Sequence, residues 1–202
     1  MSATLTNNQI AQTFPLIEEI TDKSLKQGVY EIIKEIAQEM KWDSFHDIPK
    51  NLDHERNRSL VVHINGVTEI ALSMAEMYKR TQSLNFNKDL LLASCLLHDI
   101  SKPVECEPDT SIKKNSNSTV LPGKKSEIGN FMPHASYAAH KVLEKKLGFE
   151  LAHIVTTHTH ASNVRGMGWE AAVLFYADFV DSDAGITLAG EGAKLFMQRW
   201  KL

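Results

Sequence analysis

The chain has 202 residues, 43% of them hydrophobic and 23% charged, with a formal net charge of −3 when its histidines are neutral. That composition excludes a disordered, collagenous or low-complexity chain, and the length fits one domain or one domain with an appendage. The balance of charge argues against a broad nucleic-acid or anionic-membrane footprint, and two cysteines, Cys95 and Cys106, are too few for a disulfide framework.

The first eight residues are polar, without a basic stretch leading into an apolar core, so no secretory signal is expected. No apolar run approaches the ~20 residues of a membrane helix, so the reading is a soluble, cytoplasmic protein. Apolar residues recur at spacings of three and four over residues 25–40 (Val29, Ile32, Ile33, Ile36, Met40) and again over 60–78 (Leu60, Ile64, Val67, Ala71, Met74, Ala75, Tyr78), which predicts two amphipathic helices. Residues 90–97 are apolar all round and predict a central buried helix, with Asn87 or Asp89 able to cap its start. Further helices are expected over 137–147, stopped by Gly148, and over 149–158, 169–181 and 192–200. No segment alternates as a hairpin would, so the expected class is all-α. Residues 103–133 carry prolines, serines, asparagines and two lysine pairs but no apolar period. A stretch of this length is a substrate-facing lid or a mobile surface insertion.

His98-Asp99 closes the apolar run, where an ionised carboxylate is costly unless paired or bound to a cation. A neutral imidazole is a common metal ligand, and adjacent His and Asp can reach one ion. His63 lies on the face of its helix shared by Leu60, Val67, Ile70 and Met74. It reads either as a satisfied core histidine or as a side chain that meets His98 and Asp99. Asp178 shares a face with Ala171, Leu174 and Phe175, so a carboxylate points along an apolar stripe and needs a cation or hydrogen-bond donors. Asp181, nearly on that face, is either a partner to the site or a surface cap.

A lone upstream His, then His-Asp, then a distant Asp after an apolar helix resembles the signature of the HD-domain superfamily of metal-dependent phosphohydrolases. The matching stretches are Val62-His63-Ile64-Asn65-Gly66-Val67, Leu97-His98-Asp99-Ile100-Ser101-Lys102 and Tyr176-Ala177-Asp178-Phe179-Val180-Asp181, and the likeness spans about residues 56–182. It implies a compact helical bundle, a domain over 56–202 preceded by a helical extension over 1–55, in which His63, His98, Asp99 and Asp178 bind a divalent ion. Binuclear members have two further histidines between the His-Asp pair and the last Asp. His134, which follows Pro133, and His158, which shares a face with Leu151, Ile154 and Val155, are the candidates, each otherwise an ordinary surface histidine. His160 points roughly opposite, at ~100° per residue, and is assigned to the surroundings of the substrate.

The resemblance also implies that Lys102 neutralises a substrate phosphate, although a lysine favoured by a helix C-terminus is as good a reading. Asp99 and Lys102 are thus the expected catalytic residues. Arg58, Arg165, His160 and Asp181 are candidates for substrate binding, and Arg56 and Arg58 read equally as a solvated helix start. The implied activity is hydrolysis of a small phosphorylated substrate, a nucleotide being one candidate, with two divalent ions per chain that can be Fe, Mn, Mg, Zn, Co or Ni. The alternatives are a di-iron oxygenase or non-phosphate hydrolase on the same scaffold, and a ligand-sensing module without turnover. No nucleic-acid or membrane partner is expected, and a homo-oligomer is compatible with the sequence.

Overall fold

The computed structural model describes residues 5–53, 57–159 and 164–188. Its described elements run α1 (Asn7–Thr13), α2 (Lys23–Glu39), α3 (Leu60–Gln82), α4 (Lys88–Leu97), α5 (Lys102–Glu105), β1 (Cys106–Pro108), β2 (Gly123–Lys125), α6 (His134–Glu144), α7 (Phe149–Thr157) and α8 (Trp169–Leu188). Three short 3-10 turns lie among them, at Pro15–Glu19, Phe45–Asp47 and Ile128–Asn130. The architecture is all-α. The helix expected over 192–200 lies outside the described residues.

The starts of the helices follow from capping chemistry. Thr6 and Gln9 form a capping box at α1, a helix too short and polar to announce itself by periodicity. Asn87, one of the two candidates, caps α4 by accepting from Leu90 N at 3.1 Å. Asp89 does something else: it accepts from Thr21 N, Thr21 Oγ1 and Asp22 N at 2.9, 2.8 and 2.8 Å, tying α4 to the entry of α2.

Helix α4 is the hub, since it packs against α2, α3, α7 and α8. Leu90, Leu91, Leu92, Leu96 and Leu97 are all buried, each side chain contributing about 1.5–3 kcal/mol. Helices α3 and α8 pack against one another and both touch α4, while α6 packs on α7. The segment before α3 joins the same core through Ile10, Phe14, Ile17 and Ile20.

The 103–133 stretch departs from the expectation of a structureless loop. β1 and β2 pair antiparallel, Cys106 opposite Lys125 and Pro108 opposite Gly123. Ser126 Oγ donates to Val104 O at 2.6 Å, Leu121 N donates to Asp47 O at 2.8 Å, and Val120 is buried. Short strands of three residues give too little alternation to be seen in sequence.

Candidate metal centre

The buried face of α3 is apolar except at Thr68, whose hydroxyl donates to Ile64 O, and at His63, which is fully buried. Its Nδ1 lies 2.6 Å from Asp181 Oδ2 on α8. Arg58, just before α3, reaches the same carboxylate. Its Nη2 is 2.6 and 2.7 Å from the two Asp181 carboxylate oxygens, and Nη1 donates to Asp181 O at 3.1 Å. This approach needs Gly66, because a Cβ there would fall 2.3 Å from Asp181 Oδ1. Arg58 and Asp181, both substrate-binding candidates from the sequence, are thus engaged with each other, and Asp181 also with His63.

His98 ends α4 and His158 ends α7, and both use one local geometry. His98 Nδ1 lies 2.6 Å from Cys95 O, and His158 Nδ1 lies 2.6 Å from Val155 O. His134 opens α6 with its Nδ1 2.7 Å from Glu105 Oε2. All four Nδ1 atoms face oxygens that can only accept, so a proton is assigned to Nδ1, and each ring in its neutral form presents an Nε2 lone pair. Fixing a ring through its outer nitrogen is how metal-binding histidines are oriented.

The Nε2 atoms converge on carboxylates in two groups. His63 Nε2 lies 3.2 Å from His98 Nε2, 3.3 Å from Asp178 Oδ1 and 3.1 Å from Asp99 Oδ2. On the other side of Asp99, Oδ1 lies 3.0 Å from His134 Nε2 and 3.5 Å from His158 Nε2. His63, His98 and Asp178 therefore form one set of potential ligands and Asp99, His134 and His158 a second, the ligand atoms within each set lying within 4.8 Å of one another. Two lone pairs facing each other at 3.2 Å, ringed by carboxylate oxygens, repel unless a positive charge is shared among them. Mixed imidazole and carboxylate donors of this kind fit a divalent transition metal.

The electrostatics agree. Burial pushes His98 down to about 3 against the pull of Asp99, keeping the ring neutral and able to ligate. Burial and the nearby Lys50 also work against a proton on His63, yet hydrogen bonds to Asp178, Asp181 and Asp99 lift it to about 9. The surroundings of His63 thus favour positive charge strongly. Burial works to raise Asp99, but Lys102, His98 and His134 hold it well below the usual carboxylate range, so it is ionised.

Lys102 Nζ donates to Asp99 Oδ2 and to Lys50 O, the latter at 3.4 Å. Lys50 is buried and donates to Ser182 Oγ at 2.7 Å, and Ser182 Oγ donates to Asp178 Oδ1 at 3.3 Å. A cleft of about 230 Å3 lies against the second set of ligands, lined by Lys50, Lys102, Glu105, Lys125 and His134 among others.

All six expected ligands are brought together by α3, α4, α6, α7 and α8. Arg165 is exposed in the segment between α7 and α8. His160 and Arg56 lie outside the described residues. Glu105 and Lys50 were missed by sequence reasoning. Neither lies on a periodic apolar face, and their partners are 29 and 132 residues away. The one available hint was that a ligating His134 needs an acceptor for its other nitrogen.

Comparison with known proteins gives a consistent result. The chain is 28% identical to a dihydroneopterin 2′,3′-cyclic phosphate phosphodiesterase of Methanocaldococcus jannaschii, an alignment that covers 83% of this chain and 66% of the relative. No solved structure matches the chain. The HD domain family matches residues 60–183, a span that contains all six converging side chains. The chain belongs to the HD-domain family, the superfamily of metal-dependent phosphohydrolases.

Proposed function

We propose that this chain hydrolyses a phosphodiester bond in a small phosphorylated molecule, with His63, His98 and Asp178 holding one divalent ion, His134 and His158 a second, and Asp99 shared between them. The observation that carries this reading is Asp99, whose two oxygens face separate sets of ligand atoms while Lys102 pairs with it beside the cleft. The identity to a cyclic phosphate phosphodiesterase supports a diester as substrate. Residues 60–183 bear the chemistry in this reading, and the preceding helices complete its core.

Bound divalent ions would supply Lewis acidity, polarising a phosphoryl oxygen and bringing the pKa of water toward neutrality. The protein's own part is orientation and charge. The four Nδ1 hydrogen bonds fix the tautomer and aim each Nε2 inward. Of the three ammonium donors of Lys102, two are accounted for by Asp99 and Lys50 O, which leaves one for a non-bridging phosphate oxygen. Lys50 and Lys125 add positive potential along the cleft, where charge develops on the departing group.

The test is anaerobic hydrolysis of 2′,3′-cyclic nucleotides by protein stripped with EDTA and reloaded with Mn2+, Fe2+ or Zn2+. Turnover that returns with metal and needs no dioxygen is expected. Absence of phosphate-ester hydrolysis with every metal, or turnover that requires dioxygen, would contradict the proposal.

A further inference from the structure

Two glycines stand behind the centre, one on each side. Gly66 lies inside α3, where alanine is the better helix former, and Gly129 lies in the 3-10 turn Ile128–Asn130. Neither has a positive φ, so backbone conformation calls for glycine at neither place. What excludes a side chain, in both cases, is the residue that holds a ligand histidine by its Nδ1. We propose that Gly66 and Gly129 are positioning residues for the two ions, Gly66 acting through Asp181 on His63 and Gly129 through Glu105 on His134; the inference rests on the two-ion reading above.

At Gly66 a Cβ would overlap Asp181 Oδ1 and stand 3.3 Å from its Cγ. That carboxylate has no slack. Arg58 Nη2 donates to both of its oxygens, at 2.6 and 2.7 Å, and Arg58 Nη1 donates to Asp181 O at 3.1 Å. Oδ2 lies 2.6 Å from His63 Nδ1. Asp181 is buried, and so short a side chain cannot swing aside without losing one of these bonds. A methyl group at 66 therefore displaces the acceptor that sets the tautomer and direction of His63.

At Gly129 the obstacle is main chain. A Cβ would overlap Glu105 O and stand 2.9 Å from Glu105 C and 3.1 Å from Glu105 Cγ. Ser126 binds this turn to the end of α5. Its N donates to Glu105 O at 3.0 Å, its Oγ donates to Val104 O at 2.6 Å, and Gly129 N donates back to that Oγ at 3.0 Å. A wedge between the two parts moves Glu105, whose Oε2 lies 2.7 Å from His134 Nδ1. The His134 main chain is tied separately, by Ser101 Oγ donating to His134 O at 2.6 Å. The start of α6 thus stays in place while the ring loses its partner. The atoms that crowd Gly66 belong to Asp181 and Arg58 and those that crowd Gly129 to Glu105, so the two effects are separable.

The experiment titrates full-length protein, stripped and reloaded with Zn2+, against a competing chelator. Gly66→Ala and Gly129→Ala are each expected to weaken one ion about tenfold and to spare the other. The ion weakened by Gly66→Ala should be the one that survives in His134→Ala, and the ion weakened by Gly129→Ala the one that survives in His63→Ala. In an Asp181→Ala background the loss from Gly66→Ala should vanish, and in Glu105→Ala the loss from Gly129→Ala, because the residue acted through is gone. Weakening of both ions together, losses that persist in those backgrounds, or unchanged affinity would overturn the proposal. A glycine variant that fails to fold would assign that glycine to the core and overturn its half. If the wild type takes up no Zn2+, the two-ion reading fails, and the imidazole Nδ1–H signals of the metal-free protein, read by 15N-edited NMR, decide the positioning. Loss of the His63 signal in Gly66→Ala alone and of the His134 signal in Gly129→Ala alone upholds it, and unchanged signals refute it.

Discussion

The two halves of the centre are built differently. His63 and Asp178 lie within α3 and α8 and His98 at the end of α4, three helices that pack on one another, and His63 and His98 are sealed from solvent. Asp99, His134 and His158 come from helix ends, and the cleft opens beside His134. Behind the inner set stand Arg58 and Asp181. Behind the outer set stands Glu105, at the edge of the hairpin insertion. The inner half is thus backed by an ion pair between α8 and the segment before α3, whereas the outer half is coupled through Glu105 to the hairpin insertion.

The largest effect is expected at the residue common to both halves. Asp99→Ala should abolish activity and lower metal content in both sets, checked by elemental analysis alongside turnover. Selective depletion by that variant would break the symmetry assigned to its two oxygens. Next, His63→Ala should empty the inner set and His134→Ala the outer, with the inner variant also less stable because Asp181 loses a buried partner. Thermal melts that rank the two the other way would argue against the buried His63–Asp181 contact as the source of that difference.

Smaller losses are expected from the residues that orient the ligands. Asp181→Asn and Glu105→Gln should each weaken metal binding by roughly 10–100-fold, the first in the inner set and the second in the outer. Titration with a competing chelator reads this directly. A change confined to the wrong half would contradict the assignment.

The smallest effect lies away from the site. Burial works to raise Asp89, but its bonds from Thr21 and Asp22 hold it below the ordinary carboxylate value. A lowered folded-state pKa contributes stability above the unfolded value near 3.9 that is lost as pH falls through the folded one. Asp89→Ala should cost about 1–2 kcal/mol at pH 7, less at pH 3, and leave metal content unchanged, as read by urea denaturation at the two pH values.

The inner half was legible in the sequence because a histidine and an aspartate broke otherwise apolar helical faces at 63 and 178. His98-Asp99 stood out for the same reason, at the end of a run apolar on every side. The helix-end residues His134 and His158 took their meaning from the resemblance and from the faces they share. What stayed hidden was contact between segments without periodicity. Glu105 beneath His134, Lys50 beneath Asp178 through Ser182, and the hairpin itself all depend on pairings across the chain that no local pattern encodes. Arg58 and Asp181 were visible as charged residues, but their mutual engagement depends on a close approach at Gly66.

The most direct test is the metal content of freshly purified protein, by elemental analysis, in the wild type and in His63→Ala and His134→Ala. Two divalent ions per chain in the wild type and one in each variant is the result expected here. A wild type that retains no divalent ion after reloading, or variants that keep the wild-type content, would contradict the central claim that these side chains hold two adjacent ions.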